Sequence, residues 1–566
     1  MTKLLTLHDP QTALHYYETG VWTTDTLYGL LDRHARERGD APALRDPRRR
    51  LSWAELRDEV DAVAAALHAA GLRRGERVAV WLPNRVEAVI ILLACARNGY
   101  ICNPSLHQNY TVEEILVLLE RIQCKALFAQ IGYGADADRE DVFARALQLP
   151  GIRRVYSLRH PQQAGGPAPG CAAFPQRGAA ALAPPPAVTD PDKVVYLAFT
   201  SGTTGLPKGV MHSDNTLLAN ARAMVEDWGH DASTVLLSLS PYSHHIATVA
   251  MDQALVCGGE LVMNDPAAGI ATLDWIEQSG ATYVMGVPTH AIDLLSAARQ
   301  RGLKSLGKVR TFYMAGAPIP TEVARQLLAL GATPQNVYGM TENGSHQYTL
   351  PDDDVATITG TCGRACRAYE IKLWSRENPD VDVAPGEIGE IGGRGGCLML
   401  GYFNNQTATE NSFNAGGWFM SGDLGRFDTN GNLQVVGRLK DLIIRGGHNI
   451  HPARIEELAH RHAHIVKAAA FGVPDERLGE KVCLAIIGGE RVPDAGEVLA
   501  HLHAAGLSKF DMPEYFVVLD AFPLTASGKI LKRELVQWVK AGRITPAPVR
   551  WSAPKADAKA GAGAQA

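Results

Sequence analysis

The stretch Tyr196-Leu-Ala-Phe-Thr-Ser-Gly-Thr-Thr-Gly-Leu-Pro-Lys-Gly-Val-Met211 decides the reading of this chain. Its first part, Val194 to Phe199, is an apolar run and predicts a strand. The strand breaks into a loop, Thr200 to Gly209, rich in glycine and hydroxyl groups with one lysine. Gly202, Gly205 and Gly209 leave the backbone free to wrap an anion and present its N–H groups. Thr200, Ser201, Thr203 and Thr204 add hydroxyl donors, and Lys208 adds a positive charge. This is chemistry for holding a polyphosphate. The loop departs from the G-x-x-x-x-G-K-[S/T] pattern, because Leu206, Pro207 and Lys208 follow Gly205. A surface turn of no function is the alternative, and it leaves the composition unexplained.

The motif resembles the phosphate-binding signature of the acyl-adenylating, or AMP-binding, superfamily, and further motifs follow in that family's order. Asn336-Val-Tyr-Gly-Met-Thr-Glu342 sets an aromatic ring, a hydroxyl and a carboxylate within five residues. The resemblance implies that Tyr338 stacks on adenine, Thr341 contacts the α-phosphate and Glu342 ligates Mg²⁺. A hard cation does prefer carboxylate and phosphate oxygens. Gly316, Ala317 and Pro318 match a small-residue loop along the adenine. Asp423 matches the acceptor of the ribose hydroxyls and Arg438 a second ribose contact. Lys440 falls at the family's hinge, and Gly446 and Gly447 match the bare backbone of the CoA tunnel. Lys529, in Pro523-Leu-Thr-Ala-Ser-Gly-Lys529, matches the lysine that reaches the acid and the α-phosphate during adenylation. By resemblance the ATP site thus comprises Thr200, Ser201, Gly202, Thr203, Thr204, Gly205, Lys208, Gly316, Ala317, Pro318, Tyr338, Thr341, Asp423, Arg438 and Lys529. The catalytic set is Lys529, Glu342, Thr341 and Lys208.

Ser240-Pro-Tyr-Ser-His-His-Ile-Ala247 matches the segment beside the acyl pocket. His244, His245, Gly339 and Met340 are the candidate lining, with Tyr283 to His290 on another wall. Ser243 is smaller than the residue usual there, and the histidine is doubled. Both departures, with Ala247 and Thr248 close by, imply a roomy pocket of mixed polarity. They point to a cyclic acid, alicyclic or aryl, with a medium-chain fatty acid as the other choice. The implied activity is ATP- and Mg²⁺-dependent acid:CoA ligation releasing AMP and pyrophosphate. Two alternatives stand beside it: an enzyme loading a carrier-protein thiol, and a non-catalytic nucleotide-binding scaffold. The Gly528-Lys529 context also resembles an acetylation site of bacterial CoA synthetases, so a lysine acetyltransferase is an expected partner. A homodimer is expected from the family.

Length and composition set the bounds. The 566 residues exceed one core, 46% are hydrophobic and the net charge is −5. Bulk electrostatics therefore favour no nucleic-acid partner. No apolar run reaches the ~18 residues of a membrane span; Ala88 to Ala96 is the strongest and stops at Arg97. Nine scattered cysteines predict reduced thiols, and with no such span and no signal-peptide h-region in Met1 to Pro10 the expected compartment is the cytoplasm. His460-Arg-His-Ala-His464 reads as a metal site or, better, as a helix end before the strand Ile465–Val473. Helical spacing over residues 26–70, a strand Arg77–Leu82, a helix Arg85–Asn98 and a strand Lys125–Gln130 alternate along the chain. The expected fold is α/β, with a large multi-subdomain N-terminal domain of layered mainly parallel sheets plus a β-rich subdomain. A small mobile α+β C-terminal domain follows. The boundaries are 1–439, 440–545 and a disordered tail, 546–566.

Overall fold

The computed structural model describes residues 10–160, 162–178, 183–200, 207–265, 268–524 and 530–551. It divides into two compact units, Met1–Ser421 with Arg426–Gln434, and Gly422–Gly425 with Val435–Ala566.

The large unit carries two mainly parallel sheets, beside a four-stranded sheet that includes Tyr369–Trp374 and Gly389–Gly395. Strands β1 Pro42–Arg45, β2 Arg50–Ser52, β3 Arg77–Trp81, β4 Ile101–Asn103, β5 Cys124–Gln130, β6 Arg154–Leu158, β7 Val194–Thr200 and β8 Lys208–Ser213 come first. They are followed by β9 Val235–Ser238, β10 Glu260–Met263, β11 Tyr283–Gly286, β12 Thr311–Ala315, β13 Thr333–Met340, β14 Gly344–Tyr348 and β15 Arg364–Ala365. One sheet runs β6-β5-β3-β4-β7-β8 and is parallel except for the last pair. The other runs β15-β14-β13-β12-β11-β9-β10-β1-β2, with its central strands parallel and its edges antiparallel. Parallel strands need crossover helices on both faces, which is why strands such as β3 and β11 are buried along their whole length rather than alternating. Strand β3, for example, is buried at all five positions.

The apolar stretch around Ala88 to Ala96 is the helix Val86–Asn98, and every one of its residues is buried. It ends on Gly99 in the left-handed region (φ 71°), a conformation that suits glycine. No helix among the described residues is long and apolar enough to cross a membrane. The helical spacing of residues 26–70 resolves into two helices, Leu27–Glu37 and Trp53–Ala69, with β1 and β2 between them. The second is started by Ser52, whose hydroxyl accepts from the Glu55 N–H while Glu55 reaches back to the Ser52 N–H. The expected loop end at Lys208 and Gly209 is instead the beginning of β8. There Thr200 pairs with Lys208 and Phe199 with Gly209.

In the small unit, strands His448–Ile450, Ile443–Arg445, Gly479–Gly488, Tyr515–Val518 and Ala547–Pro548 follow one another across a sheet, and Ile465–Asp475 pairs with Gly479–Gly488. The two-residue period divides its apolar side chains between two faces. Ala468, Ala470, Val482, Leu484 and Ile486 pack on one core, and Ala469, Phe471, Cys483 and Ala485 on another. The helix Pro452–Ala459 ends at His460, whose N–H donates to the Glu456 carbonyl. His462 lies 3.4 Å from Glu497, and no group of three metal-ligating side chains occurs among the described residues.

Candidate active site

Crossovers of a parallel sheet leave from the carboxyl ends of the strands, so loops gather along those edges and ligands bind there. In the large unit β7 delivers Thr200 to such an edge, and the chain returns along β8 from Lys208. Strand β12 ends at Ala315 and delivers Gly316, Ala317 and Pro318, all exposed. Strand β13 carries Tyr338, Gly339 and Met340, and Thr341 and Glu342 follow in the turn into β14. Strand β9 leads to the segment that ends in His244 and His245. Ser201, Gly202, Thr203, Thr204, Gly205 and Lys529 lie outside the described residues.

Two of the expected catalytic residues meet on an aromatic platform. Glu342 is buried, and its carboxylate accepts a 3.0 Å hydrogen bond from the Tyr402 hydroxyl. The Lys208 ammonium sits 4.5 Å from the centre of the same Tyr402 ring. One phenol therefore orients a carboxylate with its edge and a cation with its face. Burial, then the Glu342 charge, pushes the Tyr402 phenol far above its ordinary range, so it stays a donor. The backbone around Glu342 is pinned as well, because its carbonyl accepts from the Met399 N–H at 2.7 Å.

Behind Thr341 lies a row of histidines. His212 Nε2 is 2.6 Å from the Thr341 carbonyl, and its Nδ1 is 3.0 Å from Thr216 Oγ1. With Thr341 O as an obligate acceptor, Nε2 carries the proton and Nδ1 accepts from the hydroxyl. The His212 ring stacks on His245 at 5.6 Å and 14°. His245 Nδ1 in turn lies 3.3 Å from the Tyr196 hydroxyl. Burial, then the neighbouring His212, pushes the His245 pKa down to about 3. His244 caps the helix His245–Cys257 and its ring lies 4.6 Å from that of His107, which is 2.8 Å from Ser243 Oγ. Burial lowers the His107 pKa to about 4. Ser243, small for its position, is thus the hydrogen-bond partner of a buried imidazole.

Gly339 has a local reason to be glycine. A Cβ there would stand 1.8 Å from the Gly344 carbonyl oxygen across the β13–β14 turn. Tyr338 meets His346 edge-on at 5.5 Å, and His346 stacks on Tyr369 at 4.2 Å and 15°.

In the small unit Arg438 Nε lies 3.1 Å from Asp423 Oδ1, so the two expected ribose contacts are brought together as an ion pair. Lys440 occupies a single turn of 3-10 helix, Leu439–Asp441. Gly446 and Gly447 both have positive φ, 56° and 85°, in the tight link between Ile443–Arg445 and His448–Ile450. That conformation requires bare backbone whatever passes beside it.

Sequence reasoning missed Tyr402, His212, His107 and His346. Tyr402 stands 60 residues from Glu342, and no local signal announces it. His212 sits just past the phosphate loop, in an apolar strand where a histidine is unusual, and that was the available signal.

Residues 31–403 match the family described as AMP-binding enzyme, and residues 454–529 match the AMP-binding enzyme C-terminal domain. The chain is 29% identical over 537 residues to the medium-chain fatty-acid–CoA ligase of Escherichia coli K12, covering 94% of this chain and 93% of that one. It is 32% identical over 523 residues to the 3-[(3aS,4S,7aS)-7a-methyl-1,5-dioxo-octahydro-1H-inden-4-yl]propanoyl:CoA ligase of Mycobacterium tuberculosis, covering 90% and 98%. Among solved structures, ATP-bound MatB from Rhodopseudomonas palustris superposes with a TM-score of 0.79 at 28% identity, covering 91% of this chain and 99% of that one. With both parts of the family matched in order, and the α/β sheets in place, this chain belongs to the AMP-binding enzyme family, among its acyl-CoA ligases.

Proposed function

We propose that this protein activates a compact cyclic carboxylic acid with ATP and transfers the acyl group to CoA. In the first step a carboxylate oxygen of the acid attacks the α-phosphorus of ATP, and pyrophosphate leaves. In the second the CoA thiolate attacks the acyl carbon, and AMP leaves. Neither step needs a protein nucleophile; positioning and charge neutralisation suffice. The observation that carries this reading is the Lys208–Tyr402–Glu342 platform. It sets a fixed cation and an oriented carboxylate at the strand edge where the phosphate loop begins. In our reading Lys208 neutralises the leaving pyrophosphate, and the Thr341 hydroxyl donates to the α-phosphate. Tyr338 stacks on the adenine beside Gly316, Ala317 and Pro318. Asp423 accepts from the ribose hydroxyls with Arg438 beside it, and Lys529 supplies positive charge to the reacting oxygens.

Mg²⁺ fits the residues present. Glu342 is a buried carboxylate with one oxygen held by Tyr402, and a hard cation bound through one carboxylate plus phosphate oxygens needs little more from the protein. When bound, the ion screens the charge of the polyphosphate.

For the acid, the doubled histidine segment and the small Ala247 favour a ring over a long chain. The fused-ring propanoyl substrate named for the mycobacterial relative is in keeping with this, and the medium-chain ligase of Escherichia coli marks the competing choice. CoA-dependent AMP release across octanoate, benzoate, phenylacetate and cyclohexanecarboxylate tests the reading. AMP formed with CoA, and most rapidly with a ring acid, is the expected result. Pyrophosphate exchange without CoA-dependent turnover would move the acceptor to a carrier-protein thiol. A cytoplasmic homodimer, and a lysine acetyltransferase acting on Lys529, complete the proposal. Unchanged adenylation after stoichiometric Lys529 acetylation would remove the last element.

A further inference from the structure

Thr341 and Glu342 are the two central residues of one tight turn, Met340 to Asn343, between β13 and β14. The Asn343 N–H donates to the Met340 carbonyl at 3.2 Å, and Asn343 Oδ1 accepts from the Met340 N–H at 3.0 Å. Gly344 follows with a positive φ of 66°, the arrangement of a type I turn closing a hairpin. These bonds secure the ends of the turn, not its middle peptide, which runs from the Thr341 carbonyl to the Glu342 N–H. Turns of types I and II share their ends and differ by reversal of that middle peptide. Its tilt sets the direction in which both side chains leave the backbone.

Here the middle peptide is held from outside the turn. His212 Nε2 donates to the Thr341 carbonyl at 2.6 Å, from a ring on a residue 1% exposed and 129 positions away in the chain. The Glu342 carbonyl, one peptide further on, accepts from the Met399 N–H. The His212 ring is itself fixed on three sides. Its residue pairs with Tyr196 in the β7–β8 register. Thr216 Oγ1, in the first turn of the helix Asp214–Asp227, lies 3.0 Å from Nδ1. One face stacks on His245 at 5.6 Å and 14°. Burying an imidazole costs desolvation that an apolar side chain of the same size would avoid. The only backbone group that its Nε2 serves is the middle carbonyl of this turn.

We propose that His212 is a positioning residue for the adenylation step: by holding the Thr341 carbonyl it fixes the middle peptide of the turn, and so aims the Thr341 hydroxyl and the Glu342 carboxylate. This rests on the acid:CoA ligase reading above and adds a residue to it. His212 touches no reacting atom. The groups it aims matter most when charge gathers on the α-phosphate in the transition state, so a lost hydrogen bond costs rate more than it costs ATP binding.

The test is ATP–pyrophosphate exchange by the full chain with Mg²⁺ and whichever acid of the panel above releases AMP fastest. Three variants are compared with the parent. His212→Gln carries an amide N–H where Nε2 stood. His212→Asn carries one only as far out as Nδ1. His212→Phe keeps a ring against His245 and has no donor. The Gln variant should keep an exchange kcat within about threefold of the parent. The Asn and Phe variants should lose at least about tenfold in kcat, with the KM values for ATP and acid within about threefold throughout. A purely structural histidine gives the opposite order, with Phe close to the parent and the two amides falling together. Phe matching the parent, Gln and Asn falling alike, or a loss seen in the KM for ATP with kcat unchanged would each overturn the proposal. Failure of all three variants to fold would overturn it too, by making His212 a structural residue. Where Phe alone fails to fold, the comparison of Gln with Asn decides. No exchange by the parent with any acid would overturn the ligase reading itself, an outcome distinct from exchange that is indifferent to His212.

Discussion

Tyr402 shows how one residue can serve two functional groups at once. Its hydroxyl fixes the Glu342 carboxylate while its ring carries the Lys208 ammonium. Tyr402→Phe keeps the ring and removes the hydroxyl, and with it the hydrogen bond to a charged acceptor, worth about 1.5–3 kcal/mol. We predict that it raises the Mg²⁺ concentration needed for half-maximal AMP release about tenfold, while the KM for CoA stays put. A titration that shows no Mg²⁺ dependence on the hydroxyl would refute this use of Tyr402. Gly339 makes the opposite point, because its importance is steric. Gly339→Ala would force a Cβ against the Gly344 carbonyl at 1.8 Å, and the β13–β14 turn would have to open. We expect a loss of at least about 3 kcal/mol in urea unfolding, with a severely impaired enzyme, on the scale of other severe backbone conflicts. A variant as stable as the parent would show that the turn adapts freely.

At the scale of elements, the strands' carboxyl ends and the turns beyond them carry the chemistry. Both sheets of the large unit deliver their candidate residues there because parallel connections force loops to that edge. The short turn Leu439–Asp441 is a different sort of element. It is a single 3-10 turn at the start of the small unit, of the kind that absorbs backbone rotation. Under the proposed two-step reaction the small unit must offer Lys529 in the first step and the Gly446–Gly447 link in the second. Lys440→Pro would fix φ at that turn. We predict near-normal pyrophosphate exchange and at least tenfold slower thioester formation. Equal loss in both half-reactions would remove Lys440 from the hinge role.

At the scale of the whole molecule, buried neutral histidines tie stability to pH. Burial holds His107 near 4, while His245 and His346 are each held near 3. Unfolded, each would titrate near 6.5. Below that value the unfolded chain binds more protons than the folded one, so stability rises with pH through this window. The contribution is complete above about pH 6.5 and is lost progressively on acidification towards the folded values. Each group gives up about 1.4 kcal/mol per pH unit once the pH is well below 6.5. The melting temperature should therefore fall steadily between pH 6.5 and pH 5, and His346→Phe should flatten the slope. A melting temperature constant across that interval would contradict the assignment of neutral, inaccessible rings.

Much of this protein was legible in its sequence, for physical reasons that are local. The phosphate loop, the Tyr338–Glu342 run and the Gly437–Pro452 segment each compress their chemistry into a few consecutive residues, so order along the chain identified the family. The apolar strands and the wholly buried helix Val86–Asn98 announced a two-faced α/β core. What the sequence could not show depends on contacts between distant residues. Tyr402 reaches Glu342 across 60 residues, His107 reaches Ser243 across 136, and Gln335 reaches Tyr283 across 52. The break of residues 26–70 by β1 and β2 was hidden too, because β1 pairs with β10 more than 200 residues later and helical spacing on either side outweighed a short strand. Local chemistry named the reaction, and only the packing of sheet against helix decided which distant amides, phenols and imidazoles meet in the core.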